Sequence, residues 1–198
     1  MPQDQFEALL GIFVGIGLAA ACGFRVFVPM LIAGIAVKAG NWSVTPSMEW
    51  IGSWPALIAF GTATGLEIAS YYVPWIDNAL DTVATPAAVI AGSLTAATFI
   101  TGMDPMSQWA LAIIAGGGTA ATVQTLTVAT RAVSTATTGG LGNPVVSTVE
   151  AGAATALSIV AVVVPIVAIL LVAALFVLLF RFFARRRANN RQIPPLAA

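Results

Sequence analysis

The stretch R-A-V-S-T-A-T-T-G-G-L-G-N-P-V-V-S-T-V-E, residues 131–150, lies between two strongly apolar segments and is too polar and too rich in glycine for a lipid-facing helix. Glycine adopts backbone conformations that are closed to other residues, and Asn143 followed by Pro144 is the pattern of an N-cap and a first helical residue. The sequence therefore predicts that one helix ends near Gly139 and that another begins at Pro144.

Irregular backbone at membrane depth must be satisfied by protein groups or by a water-filled cavity, because hydrocarbon offers no hydrogen bonds. The ends of the two helices would add free N–H groups and carbonyls, and thus partial charges of both signs. We expect a polar site at this break, and the alternative is a plain periplasmic turn lined by small residues. The residues expected to form the site are Ser134, Thr135, Thr137, Thr138, Gly139, Gly140, Gly142, Asn143, Ser147 and Thr148.

The glycines of this break are predicted to be required for its backbone path. By contrast, Gly11 and Gly15 lie in a plain helical run, where alanine is a better helix former than glycine. Alanine at the glycines of the break is therefore expected to impair folding or activity more than alanine at Gly11 or Gly15.

Composition indicates an integral membrane protein. The 198 residues are 59% hydrophobic and only 8% charged, and the mean hydropathy of +0.94 lies outside the usual range of soluble domains. A single cysteine and the absence of histidine exclude an internal disulfide, histidine-ligated metals and Ser-His-Asp catalysis. Residues 1–10 carry acidic but no basic side chains, so they lack the basic region of a signal peptide.

The apolar runs predict an all-α polytopic membrane helix bundle of about five spans, with broken or re-entrant helices. The first span is expected to be interrupted near Arg25 and Pro29, with the arginine turned inward. Further proline-started helices are predicted at Pro74 and Pro86, and a bend at Pro165. The predicted spans are residues 6–37, 51–73, 85–101, 106–131 and 150–183.

The first and fourth predicted spans would run in opposite directions, each with an arginine toward its end. This arrangement, together with the recurring proline-started helices, indicates an inverted repeat.

The arginines near the end of the sequence predict the orientation of the protein in the membrane. Five arginines follow the last span: Arg181, Arg185, Arg186, Arg187 and Arg191. Such a cluster marks the cytoplasmic side, here of a bacterial inner membrane, and a stop-transfer role leaves no reason to expect a nucleic-acid partner. The N-terminus and the region of Asp77 and Asp81 would then lie outside, and the Lys38 connection inside. We expect one transmembrane domain, residues 1–183, and a basic cytoplasmic tail, residues 184–198.

Three segments resemble a known family: G-F-R-V-F-V-P-M-L (23–31), E-I-A-S-Y-Y-V-P-W-I-D-N-A-L-D (67–81) and A-T-R-A-V-S-T-A-T-T-G-G-L-G-N-P (129–144). They occur in the order found in the bacterial membrane family called domain of unknown function 4126, and the resemblance extends over roughly residues 8–183. Where that family commonly has proline after both arginines, this chain has Val26 and Ala132. The resemblance implies the membrane fold and the choice of residues, and it implies no activity.

Six ionisable residues lie in or beside the predicted spans: Arg25, Glu67, Asp77, Asp81, Arg131 and Glu150. A charge at the centre of a membrane helix costs about 2.5–3.5 kcal/mol on insertion scales, so each is expected to be paired or used. We expect Arg131 to pair with Glu150 or Glu67. Two arginines cannot neutralise four carboxylates, so the excess would be met by a cation bound near Asp77 and Asp81, by protonation, or by solvent at the interface.

Three functions are compatible with this pattern. The first is a transporter or channel that moves an ion or a small polar solute along a path lined by broken helices and charges. The second is a scaffold or assembly subunit, whose small-residue helices pack on a membrane partner or on a second copy of the chain. The third is a lipid-modifying enzyme that uses Asp77 and Asp81 for a hard cation or for acid and base chemistry, although no nucleophile motif supports it. The hypotheses differ in whether four charged residues line one water-accessible cavity: Arg25, Glu67, Arg131 and Glu150.

Overall fold

The computed structural model of the chain describes the backbone of residues 3–72 and 74–190, and the side chains of residues 3–72, 82–182, 184 and 185. This part of the chain contains helices and short connections and no strand, which confirms the predicted all-α bundle. A 3₁₀ helix covers Pro46–Gly52 and a π-helical turn covers Ala112–Gly117. The α-helices are α1 (Gln3–Cys22), α2 (Phe27–Lys38), α3 (Trp54–Ser70), α4 (Pro74–Phe99), α5 (Pro105–Leu111), α6 (Gly118–Thr138), α7 (Asn143–Val163) and α8 (Pro165–Asn190).

Five segments of the described chain are long and apolar enough to cross a membrane, by length and composition: Gln3–Cys22, Thr82–Phe99, Pro105–Thr138, Asn143–Val163 and Pro165–Phe182. Their number agrees with the prediction, and they are the segments of a multi-pass membrane protein. Residues 51–73 are not among them, because the 3₁₀ helix precedes an α3 of only 17 residues. The predicted span over residues 150–183 is instead two helices, α7 and α8.

Prolines act differently from prediction at three helix starts. Val164 leaves the helical region, with φ −137° and ψ 70°, as the residue before a proline tends to do, so Pro165 begins α8 instead of bending one long helix. Pro86 lies inside α4, which already begins at Pro74. Asn143 is the first residue of α7, and Gly142 takes the cap position predicted for Asn143.

α1 and α4 pack closely and run antiparallel at the centre of the bundle. A Cβ atom added at Gly11 would collide with the carbonyl oxygen of Phe99, and one added at Gly15 would lie 3.0 Å from Cα of Ala96. Small residues allow helix backbones to approach in this way. The premise that Gly11 and Gly15 lie in a plain helical run that favours alanine is therefore wrong, because α4 occupies the space that a methyl group would need.

The span Pro105–Thr138 also packs against α4. Gly116 in its π-helical turn lies against Gly92 and Ala96, and Ala120 of α6 lies against Gly92. α6 is therefore antiparallel to α4, as α1 is, so α1 and α6 run in the same direction. The opposite directions that suggested an inverted repeat are not found for these two helices.

The first end of the bundle, here called the amino-terminal end, carries the start of α1. Glu7 and Gly11 share a cavity of about 210 Å³ there with residues 41–43, Phe99 and Thr101. α1 and α2 therefore form a helical hairpin that begins and finishes at this end. The Lys38 connection lies on the same side as the start of the chain, and the prediction that they lie on opposite sides is wrong because α1 and α2 were taken as one span.

The second end of the bundle, here called the opposite end, carries the α3–α4 and α6–α7 connections. The hydroxyls of Tyr72 and Thr148 are hydrogen-bonded there at 2.8 Å. α8 packs on α1 through Ala168 near Gly17 and is parallel to it, so α8 also finishes at the opposite end. The start of α4, with Asp77 and Asp81 in its first turns, thus lies at the same end as the last residues of α8, and the prediction that the two lie on opposite sides of the membrane is wrong.

We predict that Gly11→Ala lowers the free energy of unfolding by about 1–3 kcal/mol, the usual cost of overpacking. The matched control is Gly65→Ala, because Gly65 is helical and no atom lies within 4 Å of an added Cβ. Alanine there should be neutral or should raise the melting temperature, since it is the better helix former. Thermal unfolding in detergent measures both variants, and equal shifts in melting temperature would contradict the close α1–α4 contact.

Candidate functional site

Arg25 lies in the break between α1 and α2, where the sequence predicts an interruption. The end of α1 sits directly on α6, since a Cβ added at Gly23 would come 2.7 Å from the carbonyl oxygen of Ala120. The chain leaves the helix at this point and carries Arg25 into the interior, where the residue is 2% exposed. The prediction that this arginine turns inward is confirmed.

The Arg25 guanidinium contacts α7. Its Nη2 donates hydrogen bonds to the carbonyl oxygen of Ser147 at 2.9 Å and to the hydroxyl of the same residue. The same nitrogen lies 3.4 Å from Oε2 of Glu150. Arg25 therefore joins the α1–α2 break to the middle of α7.

Arg131 of α6 pairs with the same carboxylate. Its Nε donates to both carboxylate oxygens of Glu150 at 3.2 Å, and its Nη2 also donates to Oε2. Arg131 is 3% exposed and Glu150 is 5% exposed. The predicted pairing of Arg131 with a buried carboxylate is confirmed, and two guanidinium groups share one glutamate.

Tyr71 completes this arrangement. The guanidinium carbons of Arg25 and Arg131 lie 3.9 and 4.0 Å from the centroid of its ring. The electron-rich face of an aromatic ring attracts cations, which offsets part of the repulsion between two arginines. Its position one turn after Glu67 predicted only that it faces inward. We call Arg25, Tyr71, Arg131, Ser147 and Glu150 the charged cluster.

Glu67 lies beside this cluster and has a different partner. Its two carboxylate oxygens accept hydrogen bonds from the backbone N–H groups of Val26 and Phe27, at 2.8 and 3.0 Å. These groups begin α2, and no side chain next to them in sequence caps that helix. A carboxylate satisfies such donors and complements the positive end of the helix dipole. Of the two carboxylates considered for Arg131, Glu150 is therefore the one found bonded to it, while Glu67 holds α2 against α3.

Polar side chains of α6 and α7 continue from the charged cluster to the α6–α7 turn. The Asn143 amide donates to the Thr135 hydroxyl at 3.0 Å, and the N–H of Gly142 donates to the Thr138 hydroxyl at 2.9 Å. Arg131 is seven residues before the end of α6, so the cluster lies about 10 Å from the turn at 1.5 Å of rise per residue. We call the following residues the polar seam: Ser134, Thr135, Thr138, Asn143 and Ser147.

Three of the six hydroxyl residues predicted for this site are exposed, Thr137, Thr138 and Thr148, although the Thr138 hydroxyl accepts a hydrogen bond from the N–H of Gly142. Thr137 is exposed and donates to the carbonyl oxygen of Val133 in its own helix. Thr148 is also exposed and bonds Tyr72. The side chains of Asp77 and Asp81 lie outside the described residues, so the cation expected there stays a prediction. Among the side chains that the structure describes, no group of three or more carboxylates and thiols could hold a metal ion.

The glycines of the α6–α7 turn have two different roles. Gly139 and Gly140 have φ values of 64° and 90°, in the left-handed region, with no atom within 4 Å of an added Cβ. Gly142 has an ordinary φ, but a Cβ there would lie 2.7 Å from the Ser134 hydroxyl oxygen. The break at Gly139 and the new helix close to Pro144 are confirmed. Close approach explains only Gly142, whereas backbone conformation explains the other two.

A cavity of about 340 Å³ lies beside the cluster, between α3, α4 and the start of α2. Glu67 and Tyr71 line it, whereas Arg25, Arg131 and Glu150 are not among its described lining residues. The remaining walls are mostly apolar. Of the four charged residues considered for one cavity, only Glu67 is among the described residues that line this one. Tyr71 also lines the cavity, and its ring contacts both arginines of the charged cluster.

Two buried polar atoms among the described side chains have no hydrogen-bond partner, Nε of Arg25 and Oγ1 of Thr64. Thr64 lies one turn before Glu67 on α3, and Arg25 precedes the backbone N–H groups that Glu67 binds. Buried polar groups without partners are costly and are uncommon in native proteins. A water molecule or a polar ligand that reached either atom would be stabilised.

These features define a multi-pass helical membrane protein with a buried charged cluster at the break between α1 and α2. The chain belongs to the family described as Domain of unknown function (DUF4126), whose model matches residues 12–185. The match includes all three segments quoted above and contains every residue of the charged cluster. Comparison with curated proteins and with solved structures found no match.

We predict that Glu150→Gln destabilises the protein by about 3–5 kcal/mol, the usual cost of breaking a buried ion pair, because two buried arginines lose their shared carboxylate. The exposed Glu49 of the Lys38 connection supplies the control, and Glu49→Gln should leave stability unchanged. Denaturation of both variants in detergent gives the comparison. A Glu150→Gln protein as stable as the control would show that the shared carboxylate is not needed for the fold.

Alanine at Gly139 or Gly140 is expected to cost about 1 kcal/mol or more each, because an ordinary L-residue is disfavoured at positive φ. Gly118→Ala is the control, since Gly118 is helical and an added Cβ there meets nothing within 4 Å. Melting temperatures of the three variants test this expectation. It fails if Gly139→Ala and Gly140→Ala both match Gly118→Ala.

Proposed function

We propose that this protein is a small membrane transporter or channel that moves an ion or a small polar solute along the polar seam to the charged cluster. The observation that supports this most directly is the run of polar side chains from the turn at the opposite end to buried Arg131 and Glu150. Ionisable groups inside a membrane are expensive and commonly mark the path of a solute. Hydroxyl and amide groups of the seam would replace the hydration of the solute.

An apolar layer closes the other side of the cluster. Val14, Leu18, Ala33 and Phe99 pack in one cluster with Ala161, and each is at most 1% exposed. Along α1 and α7 this layer lies between the amino-terminal end and the charged residues. A solute that reached the cluster from the opposite end would therefore be stopped there in this arrangement.

In the proposed mechanism α2 and the α1–α2 break move, while α1 stays packed against α4. α2 carries Ala33 of the apolar layer, and the break carries Arg25. Contacts of Arg25 with Ser147 and of Glu67 with the start of α2 would hold α2 in the closed position. Replacement of the Arg25–Ser147 contact by the solute would release α2 and open a route to the amino-terminal end, as in transporters with broken helices.

The proposed location is a bacterial inner membrane with the tail in the cytoplasm, because Arg185 follows the most apolar of the candidate spans, Pro165–Phe182, and Arg181 lies in its last turn. The opposite end, with the mouth of the polar seam, would then face the cytoplasm. The solute would enter or leave the seam on that side.

The test is flux in liposomes that contain the purified protein, screened over ions and small metabolites. Thr135→Val removes a hydroxyl of the polar seam that would bond the solute, and we expect flux to fall about tenfold, since hydrogen bonds to charged groups contribute about 1.5–3 kcal/mol. Ser147→Ala removes a hydroxyl that accepts a hydrogen bond from Arg25 and holds the closed position, so flux should rise relative to the control. Thr155→Val is the matched control, because Thr155 is an exposed α7 residue bonded to Ala151 of its own helix.

The result that would contradict this proposal is equal flux in Ser147→Ala, Thr135→Val and Thr155→Val at equal reconstitution. Absence of flux for every solute with folded parent protein would instead favour the scaffold function, in which the charged cluster only stabilises the bundle.

A further inference from the structure

We infer that the cavity between α3 and α4 binds an uncharged amphiphile from the bilayer, an alkyl chain with a hydroxyl head that donates a hydrogen bond to Glu67. This inference goes beyond the proposed function and does not rest on it. The cavity is separate from the polar seam, which lies between α6 and α7.

The walls of the cavity are suited to an alkyl chain. Its volume is about 340 Å³, within the range of small-molecule sites. The polar lining consists of Glu67, Ser70 and Tyr71, and the remaining lining residues are apolar: Val26, Phe27, Ala63, Leu66, Val83, Ala84 and Ala87. A ligand that fills this space must therefore be mostly hydrocarbon.

The opening of the cavity faces the surroundings of the bundle. Leu66 on α3 and Val83 on α4 line it and are 64% and 62% exposed. Val83 lies on the candidate span Thr82–Phe99, and an apolar side chain that is exposed on such a span faces lipid. The ligand therefore enters sideways from the bilayer and not along the polar seam.

Glu67 determines the chemistry of the head group. Each of its oxygens accepts one backbone hydrogen bond, from Val26 and from Phe27. A carboxylate has about four acceptor positions, so it retains the capacity to accept more. Both oxygens already act as acceptors toward α2, so the ligand is expected to supply the donor, and a hydroxyl is the simplest uncharged group that does.

A charged head group on the ligand is disfavoured, whether it is anionic or cationic. An anionic head would approach the carboxylate of Glu67 in an apolar cavity, where repulsion is weakly screened. A cationic head would approach Tyr71, whose ring already lies about 4 Å from the guanidinium carbons of Arg25 and Arg131. The charges of Arg25 and Arg131 are balanced by those of Glu150 and Glu67, so a cationic head would add a positive charge without a further carboxylate partner.

The experiment uses full-length protein in nanodiscs and four photoreactive probes with the same ten-carbon chain: decane, 1-decanol, decanoate and decylamine. Labelled residues are located by mass spectrometry of peptides. We expect 1-decanol to label the lining segments of α3 and α4 about tenfold more than decane, the effect of a hydrogen bond to a charged acceptor. Decanoate and decylamine should label them less than 1-decanol.

Variants that fill the cavity provide the second arm. Ala84→Trp should abolish labelling by 1-decanol, and Ala63→Leu should reduce it with a smaller change in volume. Ile58→Trp is the control, because Ile58 is exposed on α3 but does not line the cavity. Melting temperatures identify any variant that fails to fold, and Ala63→Leu keeps the test valid if Ala84→Trp is such a variant.

Equal labelling by decane and 1-decanol would overturn the contact with Glu67, and stronger labelling by decanoate or decylamine would overturn the uncharged head. Labelling of Ala63→Leu and Ala84→Trp at the level of Ile58→Trp would overturn the site itself. Thr135→Val should retain parental labelling, so failure of the transport proposal and failure of this inference are seen in separate measurements.

Discussion

The carboxylate of Glu150 is the group on which the interior of this protein depends. Two guanidinium groups reach it from different parts of the chain, Arg25 from the α1–α2 break and Arg131 from α6. Neither arginine could stay buried in an apolar bundle without such a partner, because an unpaired buried charge costs several kcal/mol. Tyr71 extends the arrangement to the end of α3. One cluster therefore joins four separate segments of the chain: the α1–α2 break, the end of α3, α6 and α7.

Small residues make this convergence possible. The approach of α1 to α4 at Gly11 and Gly15 brings the α1–α2 break to the level at which Arg25 reaches α7. Without a hydrophobic driving force between helices in lipid, close packing and polar contacts supply much of the stability of the bundle. Packing and charge pairing are therefore linked, since a methyl group between α1 and α4 would displace the helix that carries Arg25 inward.

The α1–α2 hairpin connects structure with the proposed function. Its break is held at one point by polar contacts, Arg25 with Ser147 and Glu67 with the first N–H groups of α2. Each consists of two hydrogen bonds at the end of a helix, so these contacts are easier to exchange than the packed interface of α1 with α4. A solute at the charged cluster and an amphiphile at Glu67 would act on the same hairpin from its two sides.

The sequence by itself determined the features that depend on local chemistry: the membrane helices, the turn at Gly139 and Gly140, the interruption at Arg25, and a buried carboxylate partner for Arg131. Each follows from backbone conformation or from the cost of one buried charge, which neighbouring residues reveal. Only the tertiary structure decided that α1 and α2 form a hairpin, that α1 and α6 run in the same direction, that Glu67 caps α2, and that Gly11 has no room for a methyl group. These features depend on which helices meet across the bundle. Helices rich in small residues can pack in several ways, and long-range contacts select one of them.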